Sequence, residues 1–348
     1  MDPVTHVAAS VLLSQALPAP SRGWAALAGL ILGFLPDLDY FLMSHDRLAF
    51  ITHHRGFSHS LLVVPLFALA VAGLGAAMGG RGWFRPLLVL SLAALGLHLF
   101  LDLITSYGTQ LLNPLSHRRF TLDWVFIIDP WLTAILAAGV IGALSYPPWR
   151  QKTATLGLAV ALGYIFLCGF YHREALGLAR RVFKERGLPV SEAAALPQPF
   201  SGRRWLLIAS GPAEILESFI LLPRLPSWGN PKRVKVSAVN PPQDNCRPPM
   251  APYQPVGGGL TAWRWPREAE PPGEMGPEAR RLIKTYLEFA RFPLLLSRQN
   301  HGQETTLEWV DLRFTVPGRR FPFRLTLTLD GMGELKEWDM GPCGVIPR

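Results

Sequence analysis

The sequence predicts an α-helical membrane bundle of about five to six up-and-down helices, followed by a smaller polar α+β domain with an antiparallel sheet. Two observations carry this. Of 348 residues, 49% are hydrophobic and only 17% charged, against about 25% charged in an ordinary soluble chain. The charge is also unevenly spread. Residues 1–172 hold nine Lys/Arg and seven Asp, and the other 176 residues hold 25 Lys/Arg and 18 Asp/Glu. The two halves are therefore built for different solvents, with net charges of +2 and +7. The expected division is a membrane-embedded helical domain over 1–172, a basic amphipathic linker helix over 173–196, and a polar α+β domain over 197–348.

Ser60–Gly80, Pro130–Trp149 and Thr153–Tyr171 contain no Asp, Glu, Lys or Arg over 21, 20 and 19 residues. A bilayer core takes about 20 apolar residues of helix, so each run reads as a crossing segment. Pro86–Leu101 is uncharged for 16 residues and then meets Asp102. Pro3–Ser21 and Gly23–Pro36 are shorter, separated near Pro18 and Pro20, and read as a packed hairpin that need not cross fully. No Lys or Arg precedes Arg22, so the first segment lacks the basic start of a signal peptide.

After Tyr171 the composition changes. His172–Gly187 carries Arg173, Arg180, Arg181, Lys184 and Arg186 and reads as a surface or interfacial helix. Arg204–Ser210 and Glu214–Leu222 are strand-like, and Pro223–Pro272 is mostly loop. Pro277–Ala290 has apolar residues at helical spacing. Thr305–Thr315, Phe321–Leu329 and Glu334–Trp338 form a meander around the turn at Gly331–Gly333. Three cysteines are too few for a disulfide framework; Cys246 and Cys343 could pair if they face an oxidising compartment. The net charge of +9 is dispersed and without a nucleic-acid motif, so no nucleic-acid partner is expected.

The first half contains no Glu and eight of the nine histidines. Its polar residues fall in short strings: Thr5-His6, Pro36-Asp37-Leu38-Asp39, Thr52 through Ser60, and His98-Leu99-Phe100-Leu101-Asp102. If every helix reverses direction, His6, Asp37, Asp39, His54, His59, His98, Asp102 and Asp129 all reach one membrane face. Ionisable residues at membrane depth are costly and mark function. Imidazoles with carboxylates and no nearby cysteine suit Zn²⁺, Mn²⁺ or Fe²⁺. His98 and Asp102 share a helix face. The metal-ligand candidates are His6, Asp37, Asp39, His54, His59, His98 and Asp102, more than one tetrahedral zinc needs, so two or more ions are plausible. Asp39, His59 and Arg55 are the candidates for catalytic roles, with Arg55, Arg118 or Arg119 available to an anionic oxygen. Thr105, Asp123 and Asp129 read as caps or groups that orient ligands.

These strings, in this order, resemble the YdjM-like family of inner-membrane metal-dependent hydrolases. The resemblance covers about residues 1–175. It rests on His6, Pro36–Asp39, His54-Arg55-Gly56 with Ser58-His59-Ser60, and His98 to Asp102 continuing into Thr105-Ser106-Tyr107-Gly108. It extends through Asn113-Pro114, Arg118-Arg119-Phe120 and Ile128-Asp129-Pro130. Ser58 stands where many members have Thr. The resemblance implies a membrane-bound metal-dependent hydrolase of the inner membrane. The His/Asp set is also similar, more loosely, to that of zinc-dependent phospholipase C and its related nucleases, which implies a phosphoester such as a phospholipid head group.

Two other readings stand beside it. A phosphohistidine-type lipid phosphatase also uses His-x-x-x-Asp, but lacks here its Ser-Gly-His string and the basic residues upstream of His98. A metal carrier or structural membrane protein would put its ligands at mid-membrane, whereas these gather toward helix ends. Arg22, Arg81, Arg85, Arg150 and Lys152 lie in the loops opposite the site, so the positive-inside rule puts the site outside the cytoplasm. The basic stretch after Tyr171 argues the reverse.

Overall fold

The computed structural model describes residues 1–19, 21–43, 45–185, 191–223, 237–238, 254–255, 261–266, 275–317 and 319–342. Cys246 and Cys343 lie outside them, as does most of Pro223–Pro272. The chain divides into two units: Met1–His45 with His53–Gly169, and Asp46–Thr52 with Phe170–Arg348.

The first unit is helical. α1 (Pro3–Ala16) opens with proline in its first turn, and Asp2 accepts from the Thr5 amide at 3.0 Å. Both features suit a helix start. α2 (Arg22–Phe34) packs closely on α1. The contact needs glycine: a Cβ on Gly29 would lie 2.7 Å from the Ser10 carbonyl oxygen, and one on Gly33 2.7 Å from Val7 Cα. Short helices α3 (Leu38–Met43) and α4 (Arg47–His53) lead into a 3₁₀ turn at Phe57–His59 and then α5 (Val64–Gly79). α6 (Phe84–Leu103), α7 (Pro130–Ser145) and α8 (Arg150–Glu185) follow. Asp129 caps α7 by accepting from Trp131 N and Leu132 N.

Among the described residues, two helices are long and apolar enough to cross a membrane, Arg81–Leu103 and Pro147–Arg181. A third counts if the bent pair Arg47–His59 and Val64–Gly79 is one span. Five to six were expected. α2 and α7 are apolar but hold only 13 and 16 residues, about 20–24 Å at 1.5 Å per residue, short of a core of about 30 Å. α1 has 14 residues, and buries Thr5, His6, Ser10, Ser14 and Gln15 along with its leucines. That polar content is what its place at the site requires.

The loop from Ile104 to Asp129 folds back on the end of α6. Leu122 N donates to Leu103 O, Trp124 N to Ile104 O, and Gln110 N to Arg55 O. Thr109 and Phe120 form an isolated antiparallel bridge.

The second unit holds two antiparallel sheets. β1 (Glu192–Gln198), β2 (Ser201–Ser210), β3 (Glu214–Leu221), β4 (Ser237–Ala238), β5 (Gln254–Pro255) and β6 (Thr261–Pro266) form the first, in the order β1-β2-β3-β6-β5 with β4 on β3. After α9 (Pro277–Phe289) come β7 (Pro293–His301), β8 (Glu304–Asp311), β9 (Arg324–Leu329) and β10 (Leu335–Gly341), a four-stranded meander. β2 is buried on both faces. Trp205, Leu207 and Ala209 cluster with Tyr171, Ala175, Leu178, Ala179 and Phe183 of α8. Leu206 and Ile208, pointing the other way as strand pleating requires, cluster with Leu294, Val310 and Leu312. The basic stretch after Tyr171 thus continues α8 to Glu185, with its apolar face spent on the sheet. β1 and β7 had no counterpart in the sequence reading.

Candidate metal centre

Four side chains from three places in the chain converge. Asp37 follows α2, His59 ends the 3₁₀ turn, and His98 and Asp102 sit one turn apart near the end of α6. One ligand atom from each falls within 4.8 Å of every other. His59 Nε2 is 3.0 Å from Asp102 Oδ2 and 3.4 Å from Asp37 Oδ1. His98 Nε2 is 3.2 Å from His59 Nε2, 3.5 Å from Asp102 Oδ2 and 3.7 Å from Asp37 Oδ1. Exposure is 5% at Asp37, 1% at His98 and 0% at the other two.

These donors fit a metal ion. Two imidazole nitrogens and two carboxylate oxygens make a set that a tetrahedral divalent ion accepts. Asp37 Oδ2, Asp102 Oδ2, and the Nδ1 atoms of His98 and His6 are buried with no hydrogen-bond partner. Buried polar atoms are ordinarily paired, so orphans at one focus indicate a missing partner.

A second ring of residues holds the four in place. Asp39 Oδ1 pairs with His54 Nδ1 at 2.9 Å, and its Oδ2 accepts from the Arg55 amide at 3.2 Å and Ser58 Oγ at 2.8 Å. Ser58 Oγ also lies 2.9 Å from His59 Nδ1. A ligating histidine is commonly steered through its other nitrogen in this way. Burial alone would raise the Asp39 carboxyl; the hydrogen bond from His54 and the charges of His59 and His54 outweigh it and hold the group below the usual carboxylate range. Asp37 is lowered likewise, with hydrogen bonds from His59 and His98 outweighing burial.

Arg55 is 2% exposed and takes a left-handed backbone, φ 58°. Its Nη2 is 2.8 Å from Asp102 Oδ1, and Nη1 donates to Thr105 Oγ1 at 2.9 Å. The guanidinium lies 4.9 Å from the Tyr107 ring centroid, and that of Arg119 lies 5.6 Å from the same ring. Arg119 Nη1 donates to the carbonyls of His54 and Gly108. His6 Nε2 is 3.1 Å from Asp102 Oδ1, and its ring stacks on His98 at 3.7 Å. The Met1 amino group also bonds Asp102 Oδ1.

The structure therefore sorts the residues singled out in the sequence. Asp37, His59, His98 and Asp102 converge. His6, Asp39, His54 and Arg55 touch them without joining the focus. Asp129 caps α7 and accepts from Tyr164 Oη at 2.9 Å. Arg118 is exposed and lies over Phe120; His53 is exposed. Tyr107 was missed as a platform for two guanidiniums, as was Ser58 as the link between Asp39 and His59. Both stand inside the strings already noted, and only three-dimensional contact reveals their roles.

Comparison with known proteins agrees with this unit. The family model for the YdjM inner membrane protein matches residues 1–175, a span that holds the whole site. The chain is 27% identical over 179 residues to the uncharacterized protein YfhP of Bacillus subtilis strain 168, covering 49% of this chain and 53% of YfhP. It is 34% identical over 139 residues to the inner membrane protein YbcI of Escherichia coli strain K12, covering 36% of this chain and 73% of YbcI. The chain thus spans about half the length of YfhP. No solved structure matches it. With half of its length under the family model and the buried His/Asp cluster inside that half, the chain belongs to the YdjM inner membrane protein family.

Proposed function

We propose that the chain is a membrane-bound, metal-dependent hydrolase of phosphoesters. The observation that carries this is the buried focus of Asp37, His59, His98 and Asp102, with unpaired oxygens and nitrogens, beside the buried Arg55 guanidinium. Those four residues would hold one divalent ion, zinc first by donor type. The ion would supply an acidified water, its pKa brought from about 15.7 toward about 7, and a Lewis acid for a phosphoryl oxygen.

The chain's own residues do the rest. Arg55, fixed by Thr105 and Tyr107, presents positive charge to an anionic substrate oxygen. Asp39 orients His59 through Ser58 and holds His54 by its Nδ1. His54 is the group placed to take the proton from the attacking water and return it to the leaving oxygen, its tautomer set by Asp39. The water oxygen bonds to phosphorus, the P–O ester bond breaks, and the leaving oxygen takes a proton. The expectation of two or more ions rests on Asp39 and His54, which here bond each other. In this reading the α1–α2 hairpin and α7 complete a multi-pass bundle around α5, α6 and α8. The arginines of the opposite loops put the site outside the cytoplasm.

The test is metal content by mass spectrometry on detergent-purified protein, wild type beside His98→Ala/Asp102→Ala, with phosphodiester hydrolysis assayed on both. About one equivalent of transition metal lost with activity in the variant supports the reading. A wild type that stays metal-free after reconstitution overturns it.

A further inference from the structure

The segments that carry the site turn large apolar side chains outward. Leu38 lies between Asp37 and Asp39, and Leu42 follows one turn on. Phe57 precedes Ser58-His59, Leu61 comes two residues after His59, and Leu115 sits in the loop that bonds Arg55 through Gln110 N. All five are exposed, Leu42 by 80% and Leu115 by 81%. Hydrogen bonds stitch their segments into one surface. Asp39 Oδ2 accepts from Ser58 Oγ, Leu61 N donates to Leu111 O at 3.0 Å, and Ser60 Oγ donates to Asn113 O at 2.5 Å. Soluble loops rarely expose such a stretch. This one runs directly into the exposed apolar side of α5 at Leu66 and Leu69. The outer skin of the site is thus continuous with a face already suited to lipid. Basic side chains stand beside it, with Arg118 exposed and Arg119 half-buried.

We infer that these loops sit within the bilayer surface, and that the substrate is a membrane lipid phosphodiester that reaches the site sideways from the leaflet. The acyl chains stay among Leu38, Leu42, Phe57 and Leu115, and the phosphate meets Arg119 and then Arg55. Amphipathic surfaces of this kind, apolar with adjoining cations, seat at the headgroup boundary. The inference rests on the hydrolase reading above. Water attacks phosphorus, one P–O ester bond breaks, and the leaving alcohol oxygen keeps the proton.

The experiment uses the full chain in vesicles of phosphatidylethanolamine and phosphatidylglycerol. Nitroxides are placed through Leu42→Cys, Phe57→Cys and Leu115→Cys, with Cys246 and Cys343 replaced by serine. All three labels should collide more with oxygen than with a water-soluble nickel chelate; the reverse order overturns the seating. In parallel, Leu42→Glu and Leu115→Glu should lose about tenfold or more in hydrolysis of bilayer phosphatidylglycerol, with less than about a twofold change on soluble bis(p-nitrophenyl) phosphate. Equal losses on both overturn the lateral route. A wild type active only on the soluble ester overturns the lipid substrate but keeps the hydrolase. A wild type inactive on both, with labels in lipid, sinks the hydrolase reading and leaves the seating intact.

Discussion

Each unit of the chain buries one Asp–Arg pair, and the two pairs are built for different ends. In the sheet unit, Asp311 is fully occupied. Its Oδ1 accepts from Phe292 N and Arg313 N, and its Oδ2 accepts from Arg291 N and lies 2.9 Å from Arg313 Nη2. Arg313 lies over the rings of Phe289 and Phe314 and donates to Phe289 O. In the helical unit, Asp102 is paired with Arg55 at 2.8 Å, and Arg55 lies over Tyr107. Yet Asp102 Oδ2 has no hydrogen-bond partner, and two imidazoles and a second carboxylate face it. A buried charge whose partners are complete holds the fold together. One whose partners are incomplete is kept for something that arrives later.

Four substitutions break or sharpen that contrast. Asp311→Ala leaves Arg313 buried and unpaired, and should destabilise the sheet unit by about 3–5 kcal/mol; denaturant unfolding in detergent would show it, with metal content unchanged. His98→Ala removes a converging donor, and should cost more than the roughly 10–100-fold in metal affinity typical of an outer partner, read by competition with a chelating dye. If His98→Ala instead behaves like Asp311→Ala, lowering stability with metal content intact, the two sites are the same kind of thing. Ser58→Ala cuts the link from Asp39 to His59 and should cost about tenfold in metal affinity, while Ser58→Thr keeps the hydroxyl and restores it. Smallest is Glu192→Gln, which removes the half-exposed partner of Arg291 and should change stability by about 0.2–1 kcal/mol; a larger shift would mean the pair does more than decorate the surface.

The site was legible in the sequence for the same reason that it is costly. A charged or imidazole side chain in an otherwise apolar stretch stands out, so His98 and Asp102 could be read without a structure. Sorting the ligands from their supports was not legible. Asp37 and Asp39, or His54 and His59, are near neighbours of like chemistry. What separates them is the local path of the backbone, including the left-handed Arg55 and the turn at Phe57–His59. In the sheet domain, the alternation in β8 and β9 was visible. β1 was hidden because Glu-Ala-Ala-Ala-Leu-Pro-Gln lacks β-branched residues and carries a proline, the opposite of an ordinary strand signature. The second half of α8 was read as a separate interfacial helix because its arginines dominate the composition. Its spacing of Tyr171, Ala175, Leu178, Ala179 and Phe183 is that of a helix covering a sheet.

The double burial of β2 carries a consequence for how the protein is made. When Arg204–Ser210 leaves the ribosome, the helix that covers one face of the strand already exists. The other face waits for β7 and β8, roughly 100 residues further on. At about 5–20 residues per second, that face stays bare for roughly 5–20 s. Leu206 and Ile208 spend that interval as a sticky nascent strand beside a membrane. The N-terminal half of the product needs no such shelter once it has entered the bilayer. Truncations that stop before Pro293 should therefore aggregate, or hold on to chaperones, through this strand.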